Sequence, residues 1–170
     1  MAHTKPITST IMTTTTEAVC CPRFDPAPWD GTTVVWDNKR FITDRVFTFL
    51  YMPINFGGAM RRLGAKVDSA KASVPDWLCL SEHTSMWKMN LYLAVDHDIP
   101  QAESTTISGK FYCKVYEGPF SDTGKWVKDF NAATAAKGLK CGKMFFWYTT
   151  CPQCAKKYGK NYVVILAQID

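Results

Sequence analysis

Val115–Phe130, "VYEGPFSDTGKWVKDF", passes from a β-rich run through Gly118-Pro119 into a segment where Trp126 and Phe130 lie one helical turn apart. Leu50–Leu63, "LYMPINFGGAMRRL", makes the same passage: a tyrosine, a proline, then apolar residues at helical spacing. Tyr51 and Tyr116 are offset by 65 positions, and Trp77 and about Met144 by 67. The two junctions correspond apart from one inserted residue. Each is preceded by a β-rich run and followed by two more. The chain therefore reads as a β-α-β-β unit used twice, over about 40–97 and 104–170.

In the first unit the β-rich runs Thr32–Trp36 and Phe41–Tyr51 flank Asp37-Asn38, which predicts a hairpin turn. Phe56, Met60, Leu63 and Val67 then fall on one helical face. Gly57, Gly58 and Gly64 weaken that helix and suit a close approach to a sheet. "DWLCLSE" and "KMNLYLAVD" follow as strands, joined around His83–Trp87. In the second unit "TTISGKFYCKVY" is a strand, and a helix carries Trp126, Phe130 and Ala133 on one face, with Gly138 as its stop. "KMFFWYTT" and "KNYVVILAQI" complete the repeat. The fold class expected is α+β: a pseudo-twofold antiparallel sheet with helices on one side.

Composition bounds the functions open to such a fold. At 170 residues the chain suits one domain over 20–170, and 46% hydrophobic with 21% charged residues is ordinary for a globular protein. Six tryptophans are many for this size, so some rings should line a pocket or an interface. The net charge of +5 is scattered in short pairs and no nucleic-acid motif is present, so no nucleic-acid partner is expected. No apolar run has the length of a membrane span, so no membrane partner is expected either. The first 17 residues hold seven threonines, no continuous apolar stretch and no arginine. That predicts a disordered tail over 1–19 rather than a secretory or transit peptide, and a cytoplasmic location. Seven cysteines in a reducing compartment are free thiols or metal ligands.

Tyr148–Tyr158, "YTTCPQCAKKY", is one such metal candidate. Cys151 and Cys154 supply half of a tetrahedral zinc site, and Cys20 and Cys21 of "CCPRF" could complete it. One of that pair with Cys141 is another option. A redox role would want the motif at a helix N-terminus, whereas here it lies between two predicted strands. Comparing the units, the second extends its last loop by about six residues. The cysteines fall in that extra length, which suits clamping the N-terminal segment. No cofactor is required by this reading, and a structural zinc is the one candidate.

"CCPRFDPAPWD", "LYMPINFG", "KVYEGPFSDTGKW" and "FFWYTTCPQCAKKYGKNYVV" together resemble the GyrI-like small-molecule-binding domains, in a branch often labelled hydrolase. The resemblance implies a ligand cleft between two half-sheets. It also implies relatives that range from multidrug-binding transcription-factor domains to hydrolases of cyclopropane-bearing DNA-alkylating natural products. The strands closing each unit, "MNLYLAV" and "NYVVILA", offer Asn90 and no carboxylate, so a buried acid selecting cationic drugs is not expected.

Strand alternation sorts the remaining candidates. Glu117 leaves an apolar strand before Gly118-Pro119, where desolvation could make it a general acid or base, although a helix-start carboxylate is the plainer role. Glu82 alternates with Leu78 and Leu80 and is comparable. Two acids from different halves could converge, one protonating a leaving group while the other directs water. Trp87, Asn90, Tyr92, Tyr112, Trp147 and Tyr148 are candidates for an aromatic and polar wall around a ligand, with ordinary core packing as the alternative for each ring. Ser81 and Ser121 lack a nucleophile elbow, and His3, His83 and His97 lack triad spacing. The partner expected is a hydrophobic or aromatic small molecule. Three functions fit: a hydrolase of a hydrophobic or electrophilic compound, a non-catalytic ligand-binding module, or a zinc-stabilised protein-interaction domain.

Overall fold

The computed structural model describes residues 20–170; the threonine-rich stretch 1–19, read above as a tail, lies outside the described residues. Among the described residues, seven strands and three α-helices are arranged as β1 (Thr33–Phe49), β2 (Met52–Pro53), α1 (Phe56–Ala70), β3 (Cys79–Ser85), β4 (Lys88–Ala94), β5 (Ser104–Glu117), α2 (Thr123–Ala136), β6 (Cys141–Tyr148), α3 (Pro152–Tyr158) and β7 (Tyr162–Ile169). Every pairing is antiparallel, in the order β2-β1-β4-β3-β6-β7-β5, and β5 pairs back onto β1. The sheet is therefore a closed barrel, which leaves only short edges such as β2 exposed.

Two long strands make the closure. The first half of β1 pairs with β5, from Thr33↔Tyr112 to Ile42↔Ser104, and its second half pairs with β4, from Phe41↔Ala94 to Phe47↔Lys88. Strand β5 divides itself in the same way, giving Lys110–Glu117 to β7. This overturns the hairpin expected at Asp37-Asn38. The chain runs straight on, and the dipeptide is absorbed as a bulge between Trp36 and Lys39. Asn38 takes φ +49°, a conformation asparagine tolerates, and its N–H donates to Ser108 Oγ at 2.8 Å. Turning back there would have withdrawn Trp36 from its contact with Phe111, whose ring lies 4.6 Å away.

Alternation along these strands produces three apolar layers. Inward-facing Trp36, Phe41, Leu80, Phe111, Phe145, Trp147 and Leu166 fill the barrel. On the outside, α1 lays Ala59, Leu63 and Val67 onto Ile42, Val46, Met89, Leu91 and Leu93. Helix α2 covers Tyr112, Phe146, Val163 and Ile165 with Trp126 and Phe130. Thr134, rather than Ala133, completes the buried stripe of α2, and its hydroxyl donates to Phe130 O at 3.0 Å, so its polarity is spent inside the helix. Fully burying Phe130 contributes about 2–3 kcal/mol. The close approach expected at the α1 glycines is not seen, because a Cβ at Gly57 or Gly64 would meet nothing within 4 Å. Gly138, at φ +67°, ends α2 as predicted. Among the described residues, no helix is long and apolar enough to cross a membrane.

Candidate functional site

The segment before β1 forms a strap across one end of the barrel. Phe24 and Trp29 set their rings edge-on to Trp147, at 5.2 and 4.9 Å between centroids. Asp30 Oδ1 accepts the Val115 N–H at 3.0 Å, which ties the strap to β5. Beneath it lies a cavity of about 240 Å³, lined by Phe24, Trp29, Trp77, Trp147 and Thr149 among others. Trp147 is buried, and its Nε1 has no hydrogen-bond partner among the described residues.

The far end of the strap meets α3, a helix not foreseen in the sequence. Pro152 occupies its first turn, Cys151 Sγ accepts the Cys154 N–H at 3.5 Å, and Gly159 closes it at φ +68°. Proline just inside the start and glycine just past the end were a readable helix signal in "CPQCAKKYG". The CxxC motif thus sits at a helix start and not in a bare loop between strands. The whole connection from β6 to β7 spans 149–161, against 86–87 between β3 and β4, a longer insertion than the six residues expected.

Here the four cysteines come together. Cys20 Sγ lies 3.3 Å from Cys151 Sγ, 3.4 Å from Cys154 Sγ and 3.8 Å from Cys21 Sγ. All four sulfurs lie within 4.8 Å of one another. Cys141 is exposed at the start of β6 and is not among them. Hydrogen bonding with Cys151 and Cys154, with some burial, pushes the Cys20 thiol up to about 12. Burial also pushes Cys151 up, but the Cys154 amide and the neighbouring thiols outweigh it and bring Cys151 down to about 7. Tyr158 donates its hydroxyl to Cys21 O, and the Arg23 guanidinium covers the Tyr158 ring at 4.4 Å.

Towards the other end, the inner face of β3 carries Glu82 in line with Leu80. Tyr92 donates its hydroxyl to Glu82 Oε2 at 2.6 Å, Asn90 Nδ2 reaches the Tyr92 oxygen at 3.5 Å, and Lys143 Nζ stands 3.3 Å from Glu82 Oε1. The Glu82 side chain is only 13% exposed. Burial first, and then the bond to Glu82, push the Tyr92 hydroxyl up to about 12. The Tyr92 ring stands edge-on to Phe145 at 5.7 Å, so the carboxylate is joined directly to the aromatic interior.

The other candidates are dispersed. Glu117 is half exposed, 3.9 Å from Lys160, on an open groove of about 500 Å³ with Phe120, Lys156 and Asn161. It pairs with Tyr162, which bonds Thr149, whereas Glu82 holds Lys143; six residues of extended chain separate those positions, about 20 Å. The two carboxylates therefore do not share a cleft. Tyr112 and Tyr148 lie on the α2 side, against Phe130 and Phe120 at 5.7 and 5.3 Å. Trp87 stands outside the barrel, 49% exposed, against Phe49. Of the predicted wall, Asn90, Tyr92 and Trp147 share the inner face. Nothing in the sequence marks Lys143, whereas Phe24 and Trp29 in the proline-rich "PRFDPAPWD" signal a strap that needs something to lie on.

An antiparallel barrel with α1 and α2 laid on its outer face is the architecture of a GyrI-like domain. Solved structures share it. The EcmrR–DNA complex superposes with TM-score 0.65 at 8% identity over 82% of this chain, which spans 56% of that chain. A hydrolase from Listeria innocua gives 0.62 at 12% identity, covering 84% of this chain and 93% of that one. Another conserved protein from Listeria innocua gives 0.61 at 12% identity, over 82% and 91%. At these identities the likeness is one of fold. The chain itself belongs to the bacterial hydrolase family, whose model matches residues 11–169. A comparison with curated proteins gives no match.

Proposed function

We propose that this protein binds a hydrophobic or electrophilic small molecule against the aromatic inner face of its barrel and hydrolyses it, with Glu82 as general acid/base. The observation that carries this reading is the Glu82 carboxylate, nearly buried, oriented by Tyr92 at 2.6 Å and Lys143 at 3.3 Å, beside the rings of Tyr92 and Phe145. Glu82 takes a proton from water as the water oxygen bonds to the electrophilic carbon. The bond from that carbon to its leaving group breaks, and the leaving atom receives the proton from the newly formed carboxylic acid. Membership of the hydrolase family supports the reaction class.

The wider reading is a single cytoplasmic domain over 20–170 built from two equivalent β-α-β-β units. Its support is the repeated pairing: β1 with β4 and β4 with β3 in one half, β5 with β7 and β7 with β6 in the other, joined by β3–β6 and β1–β5. A structural zinc at Cys20, Cys21, Cys151 and Cys154 is part of it. Four thiolates at 2.3 Å from one ion stand about 3.8 Å apart, close to the spacings of these sulfurs.

A thermal-shift screen of aromatic compounds, followed by chromatography of each stabilising compound after incubation, tests the reading. Stabilisation with conversion to the hydrated product is expected. Stabilisation without product across aromatic epoxides and aryl esters would make the protein a non-catalytic binding module.

A further inference from the structure

The hairpin that follows β1 holds a conformation its residues do not favour. Leu50 and Tyr51 link β1 to β2 as a two-residue turn, with Phe49 opposite Met52, and both have positive φ, +48° and +69°. Turns of this kind take Asn-Gly or Asp-Gly, because a branched or bulky side chain is strained there. This chain instead places a leucine and a tyrosine at the tip and leaves both more than half exposed.

The tip is the centre of an apolar face. Every residue from Phe49 to Met52, together with Phe47 and Ile54, is 54–71% exposed. Met86 and Trp87 of the neighbouring β3–β4 turn add to it, joined through Tyr51 N–H to Met86 O at 3.0 Å and Phe49 against Trp87 at 5.4 Å. Half of each large side chain amounts to about 800 Å² of apolar surface in all. The largest such patch on an ordinary monomer is about 300–600 Å².

The charged residues on the segments that build this face are basic, with Asp44 and Glu82 as their acidic neighbours. Residues 45–67 and 84–95, which build it, contain Arg45, Arg61, Arg62, Lys66 and Lys88 and no aspartate or glutamate. Arg62 is engaged by Asp44, but Arg45, Arg61 and Lys88 are exposed and form no salt bridge among the described residues. A second copy docked face to face about a twofold axis would bring these cations against their own equivalents. An anionic bilayer complements them, and a strained apolar tip with arginine and lysine on the strands and helix behind it matches what an interfacial anchor needs.

We propose that the Leu50–Tyr51 hairpin end is a peripheral membrane-docking face that inserts its apolar tip into anionic phospholipid, with Arg45, Arg61 and Lys88 at the headgroups. The lack of a spanning run bears on crossing a bilayer and not on docking at its surface. The proposal does not depend on the hydrolytic reading.

Co-sedimentation of the full chain with phosphatidylcholine vesicles, with and without about one third phosphatidylserine, tests it. Binding to the anionic vesicles is expected at least tenfold tighter than to neutral ones, with a blue shift in tryptophan emission from Trp87. Leu50→Asn should weaken that binding at least tenfold while raising the thermal midpoint, since asparagine accepts the positive φ. Arg61→Glu with Lys88→Glu should remove the preference for anionic lipid. No binding to anionic vesicles, or binding unchanged by Leu50→Asn, would overturn the proposal. So would a wild-type dimer in sedimentation velocity that Met52→Asp dissociates, which would assign the face to a second copy.

Discussion

Cys20 and Cys151, 131 positions apart in sequence, bring their sulfurs to 3.3 Å where the strap meets α3. Cys21 and Cys154 complete the group from the same two segments. Because a tetrathiolate site binds the folded chain far more tightly than the unfolded one, metal and folding should be linked. Purified protein is expected to carry about one equivalent of zinc by elemental analysis. Cys151→Ser with Cys154→Ser should lose it and lower the thermal midpoint, and a strong chelator should do the same to the wild type. Metal-free protein with an unchanged midpoint would leave the cysteines as a thiol cluster only.

The strap is held by packing as well as by its cysteines. Trp29 lies 4.9 Å from Trp147 and covers the barrel end. Trp29→Ala removes a large, partly buried ring, and urea unfolding should show a loss of about 3 kcal/mol. Trp77 lines the same cavity but is 57% exposed, so Trp77→Ala should cost less than half as much. Equal costs would mean that the strap does not seal the barrel through Trp29.

Asp44 supplies a test in pH. Burial alone would raise its pKa, but the bonds from Arg62 Nε and Nη2, at 2.8 and 3.0 Å, and the Arg45 amide hold it below the usual carboxylate range. A carboxylate depressed in the folded state stabilises the fold above its unfolded pKa and loses that contribution as pH falls through the folded value. Asp44→Asn should therefore cost about 1 kcal/mol near neutral pH, since Arg62 is half exposed. The gap from wild type should close as pH drops below the ordinary aspartate pKa. A gap independent of pH would show that the pair acts through shape rather than charge.

Much of the architecture was legible because it rests on periodicity. The alternation in Met89, Leu91 and Leu93 and the helical spacing of Leu63 and Val67 identify the α1 layer, and the same residues form it. Asp37-Asn38 misled because turn chemistry is local, while closure of β1 onto β5 is a long-range pairing that accepts the dipeptide as a bulge. Cys20, Cys21, Cys151 and Cys154 could be grouped by ligand type alone. Glu82 and Glu117 looked equivalent in sequence, since each ends an apolar strand. Only the register shows that Glu82 acquires Tyr92 and Lys143 while Glu117 faces an open groove.

Glu82 is tested most directly by comparing turnover with binding in Glu82→Gln, using a compound the wild type converts. Hydrolysis should fall at least about a hundredfold, as expected on removing a general acid/base. Affinity for the same compound, read from tryptophan quenching, should stay within a few-fold. Full turnover in Glu82→Gln would contradict the account, and its loss in Glu117→Gln instead would move the chemistry to the groove beside Lys160.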